Sequence, residues 1–248
     1  MNADAALPRL LLLEDDPVSA AFLATALAAL PAHVDAAASL AEAEPLRDAG
    51  HALWLFDANL PDGTGSGLLA RWRAQGLATP ALAHTADARN GERDALIEAG
   101  FAGVILKPLT VAQLQDAVKQ ALEGSETTAA KTNGARHDDD GCAASPIWDD
   151  AVALRALNGN AALVDTMRGL FLGELPAVRM HIADALSQAD ADAVRAELHK
   201  LQASCGFVGA SRVLVAMMAL RDAPLSREAF ARFEDAVDGT LLKTLRTP

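Results

Sequence analysis

The stretch LWLFDANLPDGTG, residues 53–65, decides the fold of the first half of the chain. A short apolar run stops at Asp57, and a turn-rich segment follows it. Such runs are typical of strands buried on both faces, as in parallel sheets. Helix-like segments follow them, for example Pro17–Leu30 and Thr110–Leu122. This alternation predicts an α/β unit with helices on both faces of a parallel sheet. The predicted strands are Arg9–Leu13, His33–Ala37, Ala52–Phe56, Ala81–Thr85 and Gly103–Leu106.

The pattern changes at residues 123–145, which contain small polar residues and three consecutive Asp residues but few large apolar ones. We predict a flexible linker there, because such a segment cannot bury enough surface to offset its ordering entropy. Beyond it, apolar residues recur every three or four positions, which predicts an all-α antiparallel bundle. The expected organisation is an α/β domain over 7–122 and a helical domain over 146–247. The predicted helices are Asp149–Leu157, Asn160–Glu174, Pro176–Gln188, Ala191–Cys205, Ser211–Ala223 and Arg227–Leu245.

Composition limits the functions that the chain can have. Its 248 residues suffice for two modest cores, and 51% of them are hydrophobic. A net charge of −12 disfavours binding to nucleic acid or to anionic lipid, since both depend on Lys and Arg. The two cysteines have no CxxC spacing, and no signal peptide or membrane-spanning segment is evident. We therefore expect a cytoplasmic protein without membrane insertion.

Polar residues stand at the carboxyl ends of several predicted strands. Glu14, Asp15 and Asp57 are acidic, Thr85 follows a third strand, and Lys107 follows a fourth. Each acid alone could be an ordinary helix N-cap, a role that we predict for the residue before Pro17. In a parallel sheet, however, these side chains would share one crevice, and the acids would repel one another without a cation. Their oxygen ligands suit Mg²⁺.

The segments LLLEDDP, LWLFDANLPDGTG, ALAHTAD and GVILKPLT occur in the order and spacing of the receiver domain of two-component response regulators, which the chain resembles over nearly all of residues 7–122. The resemblance implies a flavodoxin-like, five-stranded parallel sheet of order 2-1-3-4-5. It implies that Asp57 is the phosphoacceptor and that Asp15 and Asp57 bind Mg²⁺ directly. Glu14 would assist through water, and the backbone carbonyl of Asn59 would supply a further ligand.

The same resemblance gives roles to the remaining strand-end residues. Thr85 and Lys107 would contact the phosphoryl oxygens, and the Lys107–Pro108 peptide bond would be cis. One position departs from the pattern, because Val104 stands where receivers often carry Tyr or Phe. Signalling by rotation of an aromatic ring is therefore not expected. A domain that passes phosphate on would need no such ring.

A second candidate site lies in ELHKLQASCGFVGA, residues 197–210. Val194, Leu198 and Leu201 form the predicted buried stripe of a helix, and His199 lies about 100° round the helix from Leu198. The imidazole is expected to be exposed, although a histidine on a helix surface is most often a plain surface residue. The same side of the helix carries Arg195, Gln202 and Gly206.

The segment HKLQASCGFVGA resembles the motif of histidine phosphotransfer (HPt) domains, and IWDDAVALRALNGN and FLGELPAVRMHIADALSQAD precede it in that family's order. The resemblance implies that His199 carries a phosphoryl group and meets an Asp of a partner, with Gly206 leaving room for docking. Gln202 stands where the family often has Lys, and Cys205 lies in a run that is usually more polar.

These features predict a bacterial two-component phosphorelay protein rather than a metabolic enzyme. Asp57 and His199 would exchange phosphate with a histidine kinase or with other receiver or HPt proteins, and the linker would also permit exchange between them. One alternative is a phosphate sink or a kinase-binding adaptor without onward relay. Another is a phosphomonoester hydrolase, although such enzymes commonly have Asp where this chain has Asn59.

Overall fold

The structure is a computed structural model, and it describes residues 7–85, 91–124 and 145–244. The chain divides into two compact units, with the division between residues 132 and 133. Most of the predicted linker, residues 125–144, lies outside the described residues. In the described part, no helix combines the length and apolarity needed to cross a bilayer.

The first unit contains a five-stranded parallel sheet, as predicted. The strand order is β2-β1-β3-β6-β7, which is 2-1-3-4-5 when the five long strands alone are counted. Two very short strands, β4 and β5, form a separate antiparallel pair directly after β3 and were not predicted. The strands are β1 Arg9–Leu13, β2 His33–Ala37, β3 Leu53–Asp57, β4 Asn59–Leu60, β5 Gly63–Thr64, β6 Ala81–Thr85 and β7 Gly103–Leu106.

Helices cover both faces of this sheet, because its long strands are apolar on both sides. One face packs against α1 and α5, which also touch each other. The other packs against α2, α3 and α4, whose apolar side chains share one core with alternate residues of β1, β3 and β6. The helices are α1 Pro17–Ala28, α2 Leu40–Ala43 with a 3₁₀ turn at Glu44–Leu46, α3 Gly65–Ala74, α4 Glu92–Glu98 and α5 Val111–Leu122.

Aromatic side chains anchor strand β3 beneath the candidate site. The Trp54 ring stacks on Phe56 at 5.8 Å between centroids and meets Trp72 of α3 edge-on at 4.7 Å. Phe56 also contacts Phe101 edge-on. These rings are buried, and such pairs add about 0.5–1.5 kcal/mol each beyond area burial. Asp57 is therefore the last residue of a strand that is anchored by aromatic packing.

The second unit is a helical bundle. Its described helices are α6 Asp150–Ala156, α7 Ala161–Ser187, α8 Ala191–Val208, α9 Ser211–Asp222 and α10 Arg227–Thr244. Consecutive helices from α7 to α10 pack against each other, and α6 packs against α8. The predicted bundle is confirmed, with one correction to the helix count.

Residues 160–188 do not form two helices, as predicted, but the single helix α7 with Pro176 inside it. A proline in a helix interior removes one hydrogen bond and costs about 3 kcal/mol. The buried stripe nevertheless keeps its helical spacing through Phe171 and Leu175 to Ile182. Burial of this stripe on both sides of Pro176 offsets the local cost of the proline.

Candidate functional site

The parallel register brings the predicted strand-end residues to one edge of the sheet. Leu13 of β1 pairs with Phe56 of β3, so Glu14 and Asp57 follow neighbouring positions. Asp57 itself pairs with His84 of β6. The backbone N–H of Lys107 donates to the Thr85 carbonyl at 2.8 Å, which continues the β6–β7 ladder by one residue. Residues far apart in sequence therefore share one pocket.

The Lys107 ammonium joins the two buried acids of this pocket. Its Nζ donates to Oε2 of Glu14 at 2.5 Å and to Oδ2 of Asp57 at 2.8 Å. The side chains are nearly enclosed, with exposed fractions of 4% for Lys107, 1% for Glu14 and 11% for Asp57. A buried ion cluster of this kind fixes the orientation of its members, because breaking it leaves an uncompensated charge. The carboxylate of Asp57 is held in place but retains some access to solvent.

Electrostatics give the two acids different protonation. Burial raises the pKa of Glu14 to about 8, with Asp57 adding to the rise and Lys107 opposing it. Burial acts in the same direction on Asp57, but the Lys107 ammonium and the Asn59 N–H outweigh it and lower the pKa of Asp57. The two acids in turn raise the pKa of Lys107 despite its burial. At neutral pH, Asp57 and Lys107 are charged, and Glu14 is mostly protonated.

The remaining predicted residues stand at or just after the ends of the same strands. Asp15 is partly buried next to Glu14, and the Asn59 N–H donates to Oδ1 of Asp57 at 3.0 Å. Thr85 is buried, and its hydroxyl lies 3.5 Å from a Glu92 carboxylate oxygen. The Lys107–Pro108 peptide bond is cis, and the residue before Pro17, Asp16, caps α1 by accepting from the Ser19 N–H at 2.7 Å. Val104 is buried, as expected for an apolar strand residue.

Gly65 explains how helix α3 can begin so close to Asp57. A Cβ at this position would overlap the Asp57 carbonyl oxygen and would crowd Cβ of Phe56 at 3.2 Å. The Gly65 N–H also donates to the Ala58 carbonyl at 3.1 Å. The missing side chain therefore permits a close approach of the α3 N-terminus to the strand end.

His84 belongs to the pocket but was not singled out from the sequence. Its side chain is fully buried, and Nδ1 lies 3.5 Å from Oε2 of Glu14 and 3.7 Å from Oδ2 of Asp57. Burial and the nearby Lys107 lower the pKa of His84 to about 3, against the effect of Asp57, so the ring is neutral. A histidine in the otherwise apolar run ALAHT, directly before Thr85, was the signal that could have identified it.

The donor set of the pocket fits the magnesium ion that the receiver resemblance implies. Glu14 and Asp57 offer carboxylate oxygens within 4.8 Å of each other and of a His84 nitrogen, and Asp15 is the next residue in the sequence after Glu14. Hard oxygen ligands are those that Mg²⁺ prefers. Burial next to Asp57 raises the pKa of Glu14, and a divalent cation bound there would oppose that rise.

The second predicted site residue, His199, lies in α8 and is partly rather than fully exposed. The predicted stripe of Val194, Leu198 and Leu201 is buried and faces the bundle. Glu197, two residues before His199, has a carboxylate oxygen 3.6 Å from Nδ1 of His181 on α7. Because its own exposure is intermediate, His199 sits at the margin between the packed interior and solvent.

The small residues after His199 have a different role from the predicted one. We expected Gly206 to open a gap on the exposed side, but Ala203, Ser204 and Gly206 are all buried. The last two turns of α8 are enclosed because α6, α7 and α9 all pack against this helix. Small side chains here permit close helix packing, and the docking room that the sequence suggested at Gly206 is not present.

The turn that follows α8 depends on glycine. Gly209 has φ of +69°, and a Cβ there would overlap the Asp149 carbonyl oxygen. The Gly209 carbonyl accepts a hydrogen bond from the Asp149 N–H at 2.7 Å. This contact ties the start of α6 to the end of α8, and it fixes where α9 begins.

Gln202 lies one turn beyond His199, and its Oε1 accepts a hydrogen bond of 2.7 Å from Nη1 of Arg221 on α9. Arg195, one turn before His199, instead donates to an Asp192 carboxylate oxygen at 3.2 Å. The guanidinium of Arg221 on α9 is thus held beside Gln202, which neighbours His199 on the same face of α8.

Comparison with known families finds one family match in each of the two compact units. A model described as the response regulator receiver domain matches residues 10–119, and a model described as the Hpt domain matches residues 166–242. The predicted boundaries at 7–122 and 146–247 remain predictions.

The individual proteins to which the chain is similar include a histidine kinase and a transcriptional regulator. The chain is 25% identical over 205 residues to the signal transduction histidine-protein kinase BarA of Shigella flexneri, matching 81% of this chain and 22% of that protein. It thus spans about a fifth of the length of these kinases. It is also 30% identical over 119 residues to the transcriptional regulatory protein PmrA of Pectobacterium parmentieri, covering 48% of this chain and 54% of that one.

Solved structures similar to the chain match its receiver half. The non-phosphorylated HemR receiver domain of Leptospira biflexa is 32% identical, with a TM-score of 0.44 over 46% of this chain and 94% of that one. A CheY-like receiver domain protein of Methanospirillum hungatei is 25% identical, with a TM-score of 0.44 over 48% and 95%. The two family matches identify the chain as a receiver domain fused to an HPt domain.

Proposed function

We propose that Asp57 accepts a phosphoryl group and that His199 carries one, in exchange with a histidine kinase or with other receiver or HPt proteins. One observation carries the proposal. The Asp57 carboxylate is ionised, fixed by Lys107 at 2.8 Å and by the Asn59 N–H at 3.0 Å, and still 11% exposed. A positioned oxygen nucleophile next to a cation is what a loose phosphoryl transfer requires.

In the proposed step, a carboxylate oxygen of Asp57 attacks the phosphorus of a phosphohistidine on the donor. The O–P bond forms as the N–P bond breaks, and the donor imidazole leaves with the electron pair and takes up a proton. Lys107 is positioned to contact an equatorial phosphoryl oxygen as that charge develops, and Thr85 is the second residue proposed to do so. A bound Mg²⁺ would supply further charge compensation to the same oxygens, held by Asp15 and Asp57 with Glu14 nearby.

For His199 the support is its place at a partly exposed position of α8. A neutral imidazole nitrogen there can accept a phosphoryl group from an aspartyl phosphate, with cleavage of the acyl O–P bond. It can return the group to an Asp of another receiver by the reverse step. Neither reaction requires chemistry beyond positioning and charge stabilisation.

We place this exchange in the bacterial cytoplasm. The net charge of −12 argues against DNA as the direct target, so the output would be delivered through protein partners.

The test uses the purified full chain with a radiolabelled small acyl phosphate and, separately, with a phosphorylated histidine kinase. Wild type is compared with Asp57→Asn and His199→Gln, each with and without Mg²⁺. Base-labile label marks an aspartyl phosphate, and acid-labile label marks a phosphohistidine. We expect Asp57→Asn to abolish the base-labile label and His199→Gln to abolish the acid-labile label.

The alternatives give different results. A phosphate sink would show labelled Asp57 but no passage of label from His199 to any added receiver. An adaptor would bind the kinase and remain unlabelled, which would overturn the proposal. A hydrolase would release phosphate from phosphomonoesters with repeated turnover, and we expect no such activity with Asn59 at this position.

A further inference from the structure

The helical hairpin of α8 and α9 brings an arginine to the level of His199. Helix α8 ends at Val208 and α9 begins at Ser211, with a turn of two residues between them. His199 and Arg221 each lie eleven positions from Ala210, on opposite sides of it. At about 1.5 Å per helical residue, the two backbone positions stand at nearly the same distance, roughly 16 Å, from the turn.

The side chain of Arg221 extends back toward the face of α8 that carries His199. Its Nη1 donates to Oε1 of Gln202 at 2.7 Å, and both side chains are only partly exposed. Gln202 is three residues after His199, a spacing that makes side chains neighbours on a helix surface. The guanidinium is therefore held against a side chain that lies one helical turn from His199.

The partner that holds Arg221 leaves its charge uncompensated. Gln202 is neutral, so the hydrogen bond orients the guanidinium without cancelling its positive charge. The other arginine one turn from His199, Arg195, is paired with the acid Asp192 and has a side chain that is 50% exposed. A guanidinium has five N–H donors in a planar fork that matches two phosphoryl oxygens, and the bond to Gln202 uses one of them.

We propose that Arg221 binds the phosphoryl group carried by His199 and that Gln202 is the positioning residue that aims the guanidinium. This inference rests on the proposed role of His199. A phosphoryl group on the ring brings about two negative charges to the helix surface, next to this cation. During transfer to a partner carboxylate, Arg221 would keep contact with equatorial oxygens while the N–P bond breaks and the new O–P bond forms.

The test measures single-turnover transfer of label from an added phosphorylated receiver to His199. Every protein is the full chain with Asp57→Asn, so that only one site accepts label. Arg221→Met keeps the apolar stem and removes the charge, and we expect it to slow transfer by about 10- to 100-fold, as for loss of charge-assisted hydrogen bonds. The matched control Arg195→Met, also one turn from His199, should change the rate by less than about threefold.

Exchanging the positions of the cation and the amide separates a role of the charge from a purely structural role of Arg221. In the double variant Arg221→Gln with Gln202→Lys, the cation returns to the same face from α8 itself. We expect this protein to recover most of the lost rate, whereas Arg221→Gln alone should resemble Arg221→Met. Circular dichroism and thermal unfolding of each variant report whether the bundle is folded.

The outcomes separate this inference from the function on which it rests. If the starting protein takes no acid-labile label, the proposed role of His199 fails. If it takes label but Arg221→Met transfers within about twofold of it, the role of Arg221 is wrong. Equal losses in Arg195→Met would also overturn it, because general surface charge would then explain the effect. If Arg221→Met does not fold, the folded charge-exchange variant decides, and a rate as low as that of Arg221→Gln refutes the proposal.

Discussion

Replacing Glu14 by Gln should change how the stability of the first unit depends on pH. Glu14 is 1% exposed as a side chain, and its pKa is raised from 4.5 to about 8 by burial. An acid with a raised pKa in the folded state stabilises the fold below its unfolded pKa, and this contribution is lost as pH rises through the folded pKa. The substitution Glu14→Gln removes that titration and keeps an oxygen that can accept from Lys107.

The size of the effect follows from the two buried groups that titrate in opposite senses. Each pH unit between folded and unfolded pKa values is worth about 1.4 kcal/mol. The pKa of His84 is lowered from 6.5 to about 3, so its contribution is present above pH 6.5 and is lost as pH falls. Between pH 4.5 and 6.5 the two groups largely cancel. Between pH 6.5 and 8 Glu14 acts alone, and it should reduce the unfolding free energy by about 2 kcal/mol.

Urea unfolding without divalent cations, at half-unit steps from pH 6 to 8.5, measures this difference. In a Trp148→Phe background, fluorescence comes from Trp54 and Trp72 of the first unit, since the chain has three tryptophans. The gap in unfolding free energy between Glu14→Gln and the parent should widen by about 2 kcal/mol over this window, whereas Glu98→Gln, at an exposed position, should follow the parent. Parallel curves for Glu14→Gln and the parent would refute the assignment of a buried, protonated Glu14.

Three further outcomes are expected. Because Glu14 is mostly protonated at pH 7, addition of Mg²⁺ in weak buffer should release protons, and Glu14→Gln should release fewer, as read by a pH indicator dye. Lys107→Met leaves Asp57 without its ammonium partner, so labelling by a small acyl phosphate should fall at least about 10-fold while Mg²⁺ binding, measured by calorimetry, persists. In the bundle, Gly173→Ala fills open space in a helix and should stabilise the fold by about 0.5–1 kcal/mol. Gly209→Ala would meet a backbone carbonyl at positive φ and should lower the melting temperature. The opposite order of melting temperatures would show that the α8–α9 turn does not need glycine.

The strands were predictable because their signal is local and complete. Apolar runs end abruptly at Leu13, Thr85 and Leu106, and the observed strands end at the same residues. The β3 strand differs from the prediction by one position, since Asp57 itself joins the ladder opposite His84. The gathering of Glu14, Asp57 and Lys107 then follows from parallel pairing, which places carboxyl ends together.

The predictions failed where a tertiary contact overrode a local sequence rule. Pro176 is a helix breaker by its own chemistry, and the sequence window around it gives no measure of the packing that keeps α7 continuous. The buried positions Leu175 and Ile182, seven residues apart, were the available sign that one stripe passes through the proline. His84 escaped notice for a similar reason, because a strand pattern does not tell which of two faces closes over a polar pocket.

The small residues after His199 show why a composition signal can be read in two opposite ways. Ala203, Ser204 and Gly206 reduce the side-chain volume around a helix, and reduced volume serves either an open docking surface or a close approach of neighbouring helices. The sequence alone does not distinguish an open docking surface from close packing of helices. In the structure, α6, α7 and α9 all pack against α8, so the small residues serve the close approach of these helices. Access to His199 must then come from the turns that precede Ala203, where Arg195 and Gln202 lie, and it is on that side that α9 presents Arg221.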